Sequence, residues 1–113
     1  MTTLLVLYRA PEGGADALAT LESRYRDEHM PLVAQTPGLR ATRVWRVGES
    51  LGSETELVLA AAMDFDDRAA LDDALRSYPM RAAGRILREI APGLATFLVV
   101  EDAPDLLGGK VGG

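Results

Sequence analysis

His29-Met30-Pro31-Leu32-Val33-Ala34-Gln35-Thr36-Pro37-Gly38-Leu39-Arg40 is the stretch in which a helix ends, a tight turn forms and a strand begins. Upstream of it, Leu18, Leu21, Tyr25 and His29 recur at steps of three and four, so they share one stripe of a helix, which Leu32 extends. His29 therefore faces inward. Pro31 lacks an amide hydrogen and disfavours helical geometry at Met30, which predicts a kink or restart just after His29 and unpaired carbonyls near Arg26 and Asp27. Pro37-Gly38 fits a type II turn, Pro supplying its fixed φ and Gly the positive φ that follows. A strand starts at Leu39.

Outward from this stretch the other elements follow. Thr3 to Tyr8 is a short aliphatic run closed by Ala-Pro-Glu-Gly-Gly, and reads as the first strand. Asp16 is placed to cap the helix that carries Leu18 to His29, with Glu22 and Arg26 four apart on its wet side. The second strand spans Leu39 to Val47, and the turn Gly48 to Ser53 returns it as a third, Glu56 to Phe65. Asp66 is placed to cap a helix with Ala70, Leu71, Ala74 and Leu75 inward. Ser77-Tyr78-Pro79 interrupts it, and a further helix runs from Pro79 to Ala91. Pro92-Gly93 turns the chain into the last strand, Leu94 to Glu101.

The order strand, helix, strand, strand, helix, strand is the split βαβ arrangement, a ferredoxin-like α+β fold with a four-stranded antiparallel sheet. Residues 1–101 form the domain. Residues 102–113 form a tail with four glycines in its last six residues, expected to be disordered or ordered by a partner.

An antiparallel sheet with one wet face alternates apolar with polar residues. These strands do not. The first has Leu4, Val6 and Tyr8 against Leu5 and Leu7; the third has Leu57, Leu59, Ala61 and Met63 against Val58, Ala60 and Ala62; the fourth has Phe97 and Val99 against Leu98 and Val100. Two helices cover one face, so the other is expected to be buried against a second copy, a homodimer packed sheet to sheet.

The bulk composition excludes several classes. A chain of 113 residues, 48% hydrophobic and 26% charged, makes one globular domain. A net charge of −5 without a Lys/Arg run argues against nucleic acid and against an anionic membrane surface. There is no cysteine, hence no disulfide or thiolate site. No leader pattern and no apolar run of membrane-spanning length occurs, so a soluble cytoplasmic protein is expected.

The motifs His29-Met-Pro-Leu-Val and Pro37-Gly-Leu-Arg, with Asp64-Phe-Asp-Asp, Ala74-Leu-Arg-Ser-Tyr-Pro-Met-Arg-Ala-Ala-Gly84 and the closing strand, resemble the H-x-P-L…P-G-L signature of EthD-domain proteins. The likeness covers most of the chain. It implies a dimeric α/β barrel and a role in breakdown of organic compounds, broadly as an oxidoreductase. His29 matches the histidine of that motif.

His29 is the one histidine and the side chain whose ordinary pKa lies near neutrality, so acid–base chemistry at pH 7 falls to it, or else it is a core-edge imidazole bonded to a backbone carbonyl. Asp27 and Glu28 point away from it. Tyr25, one turn earlier, is either a phenol donor to a bound carbonyl or phenolate, or a core residue with a wet hydroxyl. Trp45 is a candidate to stack on a flat ligand and Arg43 to pair with an anionic group, against plain packing and a solvated charge. Met63 and Phe97 read as core or dimer seam. One histidine without cysteine gives no zinc or non-haem iron spacing, and no dinucleotide, P-loop or nucleophile-elbow motif is present, so no cofactor and no metal are expected.

Three readings follow. The first is a small enzyme acting on an apolar cyclic or aromatic compound, with His29 as acid or base, Tyr25 assisting and Trp45 walling the pocket; cofactor-independent oxygenation, cyclisation and isomerisation all occur in the superfamily it resembles. The second is a non-catalytic dimer that binds a small hydrophobic molecule. The third makes His29 an axial haem ligand, as in related barrels.

Overall fold

β1 (Thr2–Arg9) is built from aliphatic and β-branched residues that suit a pleated surface, and it takes the centre of the sheet. The computed structural model describes residues 1–108. Its strands β2 (Ala41–Arg46), β3 (Leu57–Phe65) and β4 (Ala95–Glu101) join β1 in the order β2-β3-β1-β4, every pair antiparallel. Between β1 and β2 run α1 (Gly14–Arg24) and α2 (Met30–Val33); between β3 and β4 run α3 (Arg68–Arg76) and α4 (Tyr78–Ile90). This is the α+β, ferredoxin-like arrangement expected.

Register shows which residues share a face. Leu4 pairs with Met63 and Val99, Val6 with Ala61 and Phe97, and Tyr8 with Leu59 and Ala95. Leu4, Val6, Tyr8, Leu59, Ala61, Met63 and Phe65 are buried on this side beneath Leu21, Tyr25, Val33, Leu71, Ala83 and Leu87 of the helices. The helices stop short of β4, which leaves Phe97 57% and Val99 40% exposed on the same face. The other face carries Leu5, Leu7, Ala60, Ala62, Trp45, Leu98 and Val100, and among the described residues no helix packs on it.

Several local expectations are corrected. The break expected just after His29 takes the form of one π-helical turn, Tyr25–His29, in which the Met30 amide bonds the Tyr25 carbonyl, and α2 starts at Met30. The wider turn accommodates the missing Pro31 amide and its ring upstream of the proline. It also changes the azimuth of Arg26, which pairs with Asp27, while Glu22 pairs with Arg46 and Arg24 with Glu28. Gly13, at φ 106°, precedes α1 in the capping position, and Asp16 falls in the first turn without capping it. The α3 cap is Asp67, which accepts from the Ala70 amide at 2.9 Å; Asp66 instead holds Arg40. Ser77 is extended and α4 starts at Tyr78.

The type II turn does form. Gly38 has φ 79° and the Leu39 amide reaches the Thr36 carbonyl at 3.4 Å. Within the tail, Pro104–Leu107 make a short 3-10 turn, and residues 109–113, on which the expectation for the tail also falls, lie outside the described residues.

Leu71, fully buried where α3 meets β1 and β3, anchors that helix. Leu71→Ala removes its methyl groups and leaves a void, and a urea melt is expected to record a loss of roughly 2–5 kcal/mol; a loss below about 1 kcal/mol would mean that α3 is not packed as described.

Candidate functional site

The π-helical turn sets the site. It aligns Tyr25 and His29 so that their rings stack at 4.8 Å and 28°, and Tyr8 of β1 meets Tyr25 edge-on at 5.4 Å. All three are buried, His29 being 4% exposed. The Tyr8 hydroxyl donates to that of Tyr25 at 3.4 Å. His29 Nδ1 lies 3.0 Å from the Ala83 carbonyl of α4. A carbonyl can only accept, so Nδ1 carries the proton and Nε2 presents its lone pair. Among the described residues Nε2 makes no hydrogen bond.

Beside this column lies a cavity of about 270 Å³ between the helix face of the sheet and α2, α3 and α4. Its walls are aliphatic, thioether and aromatic: Leu4, Val6, Met63, Met80, Leu87 and Phe97 are typical. Its polar side chains are those of Tyr8 and His29. A site of this size, near the lower end for small-molecule pockets, matches a compound of one or two rings. Taken alone that volume is small for a haem macrocycle, and among the described residues nothing besides His29 favours the axial-ligand reading.

Burial decides the charges. The His29 pKa is lowered, because desolvation penalises the imidazolium more than the Ala83 bond favours it. Burial raises Tyr25, an effect its bond from Tyr8 partly offsets. Tyr8 is raised by burial, then by the neighbouring Tyr25 phenol and the bond to it. At pH 7 the column is neutral throughout, and His29 is a free base.

The structure thus brings His29 and Tyr25 together, with Tyr25 behind the imidazole and outside the cavity lining. It separates the other two candidates from them. Thr42, Val44 and Arg46 share the helix face, so Arg43 and Trp45 lie on the opposite face, opposite Ala62 and Ala60, with the guanidinium 5.1 Å from the indole. Trp45 is 41% exposed and does not wall the His29 cavity. Tyr8, Met63 and Phe97 do. Strand parity was the signal for them, since Leu4, Val6 and Tyr8 share a face and Phe97 and Val99 pair across from Val6 and Leu4. Among the described residues no three His, Cys, Asp or Glu side chains gather to hold a metal ion, and no helix is long and apolar enough to cross a membrane.

A histidine-bearing apolar cavity between the helices and sheet of a ferredoxin-like α+β domain is the class that fold and site define. No protein-family model matches the chain, and no curated protein sequence does. Solved structures do. An ethyl tert-butyl ether D (EthD) family protein from Bacillus halodurans is 30% identical, with a TM-score of 0.81 over 91% of this chain and 99% of that one. The chain belongs to the EthD family. A dimeric protein of unknown function and ferredoxin-like fold from Bacteroides fragilis aligns at 17% identity and TM-score 0.67, covering 89% of this chain and 95% of that one. An antibiotic biosynthesis monooxygenase aligns at 15% identity and TM-score 0.63, over 92% and 100%. These last two share the fold.

With one histidine in the chain, its ring nitrogen resonances are unambiguous. NMR is expected to show the Nδ1-protonated tautomer and a midpoint below 6.5; the Nε2-protonated form, or a midpoint at or above 6.5, would contradict the Ala83 bond and the burial. The sign for stability follows. Between the folded midpoint and 6.5 the unfolded chain binds more protons, so the His29 contribution is complete above about pH 6.5 and is lost as pH falls through that window. His29→Gln should abolish that part of the pH dependence in urea melts.

Proposed function

We propose that this protein binds a small apolar organic compound in the His29 cavity and that His29 removes a proton from it through Nε2. The observation that carries this reading is the 3.0 Å approach of His29 Nδ1 to the Ala83 carbonyl. That carbonyl holds the proton on Nδ1 and leaves a neutral base in a cavity whose other polar side chain is the Tyr8 phenol. The proton leaves an acidic C–H or O–H of the ligand, the electron pair stays on the ligand as a delocalised anion, and His29 becomes the imidazolium. An anion of that kind either reacts with dioxygen, as an oxidoreductase without a bound cofactor would require, or takes the proton back at another atom, as an isomerase or cyclase would. Membership of the EthD family and the fold shared with a monooxygenase favour the first course.

The functional unit of this reading is a homodimer packed sheet to sheet. Leu5, Leu7, Ala60, Ala62, Leu98 and Val100 form an apolar surface with Trp45 at its β2 side, and ferredoxin-like proteins of the same fold are described as dimeric. Burying such a face in a second copy removes it from water. Trp45 and Arg43 then belong to that seam.

A non-catalytic binder is the second reading. It is favoured by the lack, among the described residues, of any carboxylate bonded to His29, since the Ala83 carbonyl steadies an imidazolium less than burial opposes it.

Native mass spectrometry of gently purified protein tests assembly and occupancy together. The expected result is a dimer of the 12.1 kDa chain carrying a retained compound; a monomer at micromolar concentration would overturn the dimer. With that compound in hand, His29→Gln is expected to keep its affinity within about threefold and to lose turnover by a factor of about 10² or more. Loss of affinity, with no turnover in either form, would make the protein a binder.

A further inference from the structure

We infer that the compound bound in the His29 cavity carries an anionic group, a carboxylate or its equivalent, held by Arg88 at the cavity mouth. This inference rests on the cavity being the binding site and adds the chemical class of the ligand.

The cavity continues outward into a second depression of about 290 Å³, and the two share Gly84, Leu87 and Phe97 in their walls. Arg88 lines the outer one. Successive α-helical residues turn by about 100°, so Met80, Ala83, Gly84 and Leu87 form the cavity side of α4 and Arg88 is the next position round from Gly84. The guanidinium leans back over that glycine: a methyl group at Gly84 would lie 3.8 Å from Arg88 Nη1. Because Gly84 has no side chain, the way from guanidinium to cavity is open.

Arg88 is also uncommitted. Arg24, Arg26, Arg40, Arg46, Arg68 and Arg76 each pair with a carboxylate. Arg85 lies 6.0 Å from the Tyr78 ring, and Arg9 donates to the Gly93 carbonyl. Among the described residues Arg88 has no ion pair and no hydrogen bond, although the chain has 17 acidic residues to 12 basic ones. A planar fork of donors at the rim of an apolar cavity matches a ligand with a ring to bury and a carboxylate left at the surface. In a protein of net charge −5 such a ligand needs a local cation to be held.

Calorimetric titration with 1-naphthoate and 1-naphthamide, which share shape and differ in charge, tests this on the wild-type protein, Arg88→Gln and Leu75→Trp. Leu75 lines the cavity and is partly exposed, so the larger ring obstructs the cavity from its edge. Arg88 is exposed, and its loss leaves the core intact. Naphthoate is expected to bind wild-type protein about tenfold more tightly than naphthamide, Arg88→Gln to erase that difference while changing naphthamide less than about twofold, and Leu75→Trp to weaken both. Equal affinities in the wild-type protein, or an equal loss of both in Arg88→Gln, would overturn the anionic ligand while leaving the cavity as the site. Failure of both compounds to bind wild-type protein, or affinities unmoved by Leu75→Trp, would overturn the cavity as the binding site and this inference with it.

Discussion

The hydrogen bond from His29 Nδ1 to the Ala83 carbonyl joins the two helical arms above the sheet, and the rest of the site depends on it. It is buried on both sides, so breaking it leaves a ring N–H without a partner. Ala83 lies inside α4, where its carbonyl also serves the helix; two lone pairs allow both. The histidine can reach it because the helix widens by one π turn just before Pro31. A backbone irregularity required by the proline thus orients the base. The same turn stacks Tyr25 behind the imidazole, which leaves the ring little freedom to rotate away from Ala83.

A second constraint comes from the sheet. Its strands are apolar on both faces, yet α1 to α4 cover one face only, and incompletely. Where the helices fall short, under β4, the uncovered space becomes the cavity, roofed at its edge by Phe97 and Val99. The cavity is therefore a shortfall in packing at the edge of the helix layer, lined by residues whose strand parity places them on the core face. The opposite face is apolar as well, and Trp45 and Arg43 belong to it.

How much of this could be read from residues alone differs by element. The helical stripe Leu21, Tyr25, His29 and the strand parities needed nothing but period, because burial imposes period, and they placed His29 inward correctly. The order of elements likewise fixed the split βαβ topology. Cap residues were off by one at Asp66 against Asp67, since either aspartate suits the position and only backbone geometry selects between them. The π turn was invisible, because Pro31 announces a lost hydrogen bond without saying how it is absorbed. For Trp45 and Arg43 the residues leave pocket and plain packing open, because parity separates the faces of a strand but does not say which face the helices cover. Residues that meet across the fold, such as His29 with Ala83 or Tyr8 with Tyr25, carry no local pattern at all.

Charge balance gives these separate features a common logic. A proton taken up by His29 in an apolar enclosure creates an imidazolium that desolvation opposes, and no carboxylate among the described residues is bonded to it. The step is feasible only if the counter-charge arrives with the ligand, as the anion formed by losing that same proton. The pair then forms together inside the cavity, where a low dielectric strengthens their attraction. A permanently charged ligand group has the opposite need, because burying it beside a neutral base would find no partner. It belongs at the wet rim, where Arg88 stands. Base inside and cation outside therefore sort one ligand by its chemistry: the apolar, weakly acidic part inward and the strongly acidic part toward solvent.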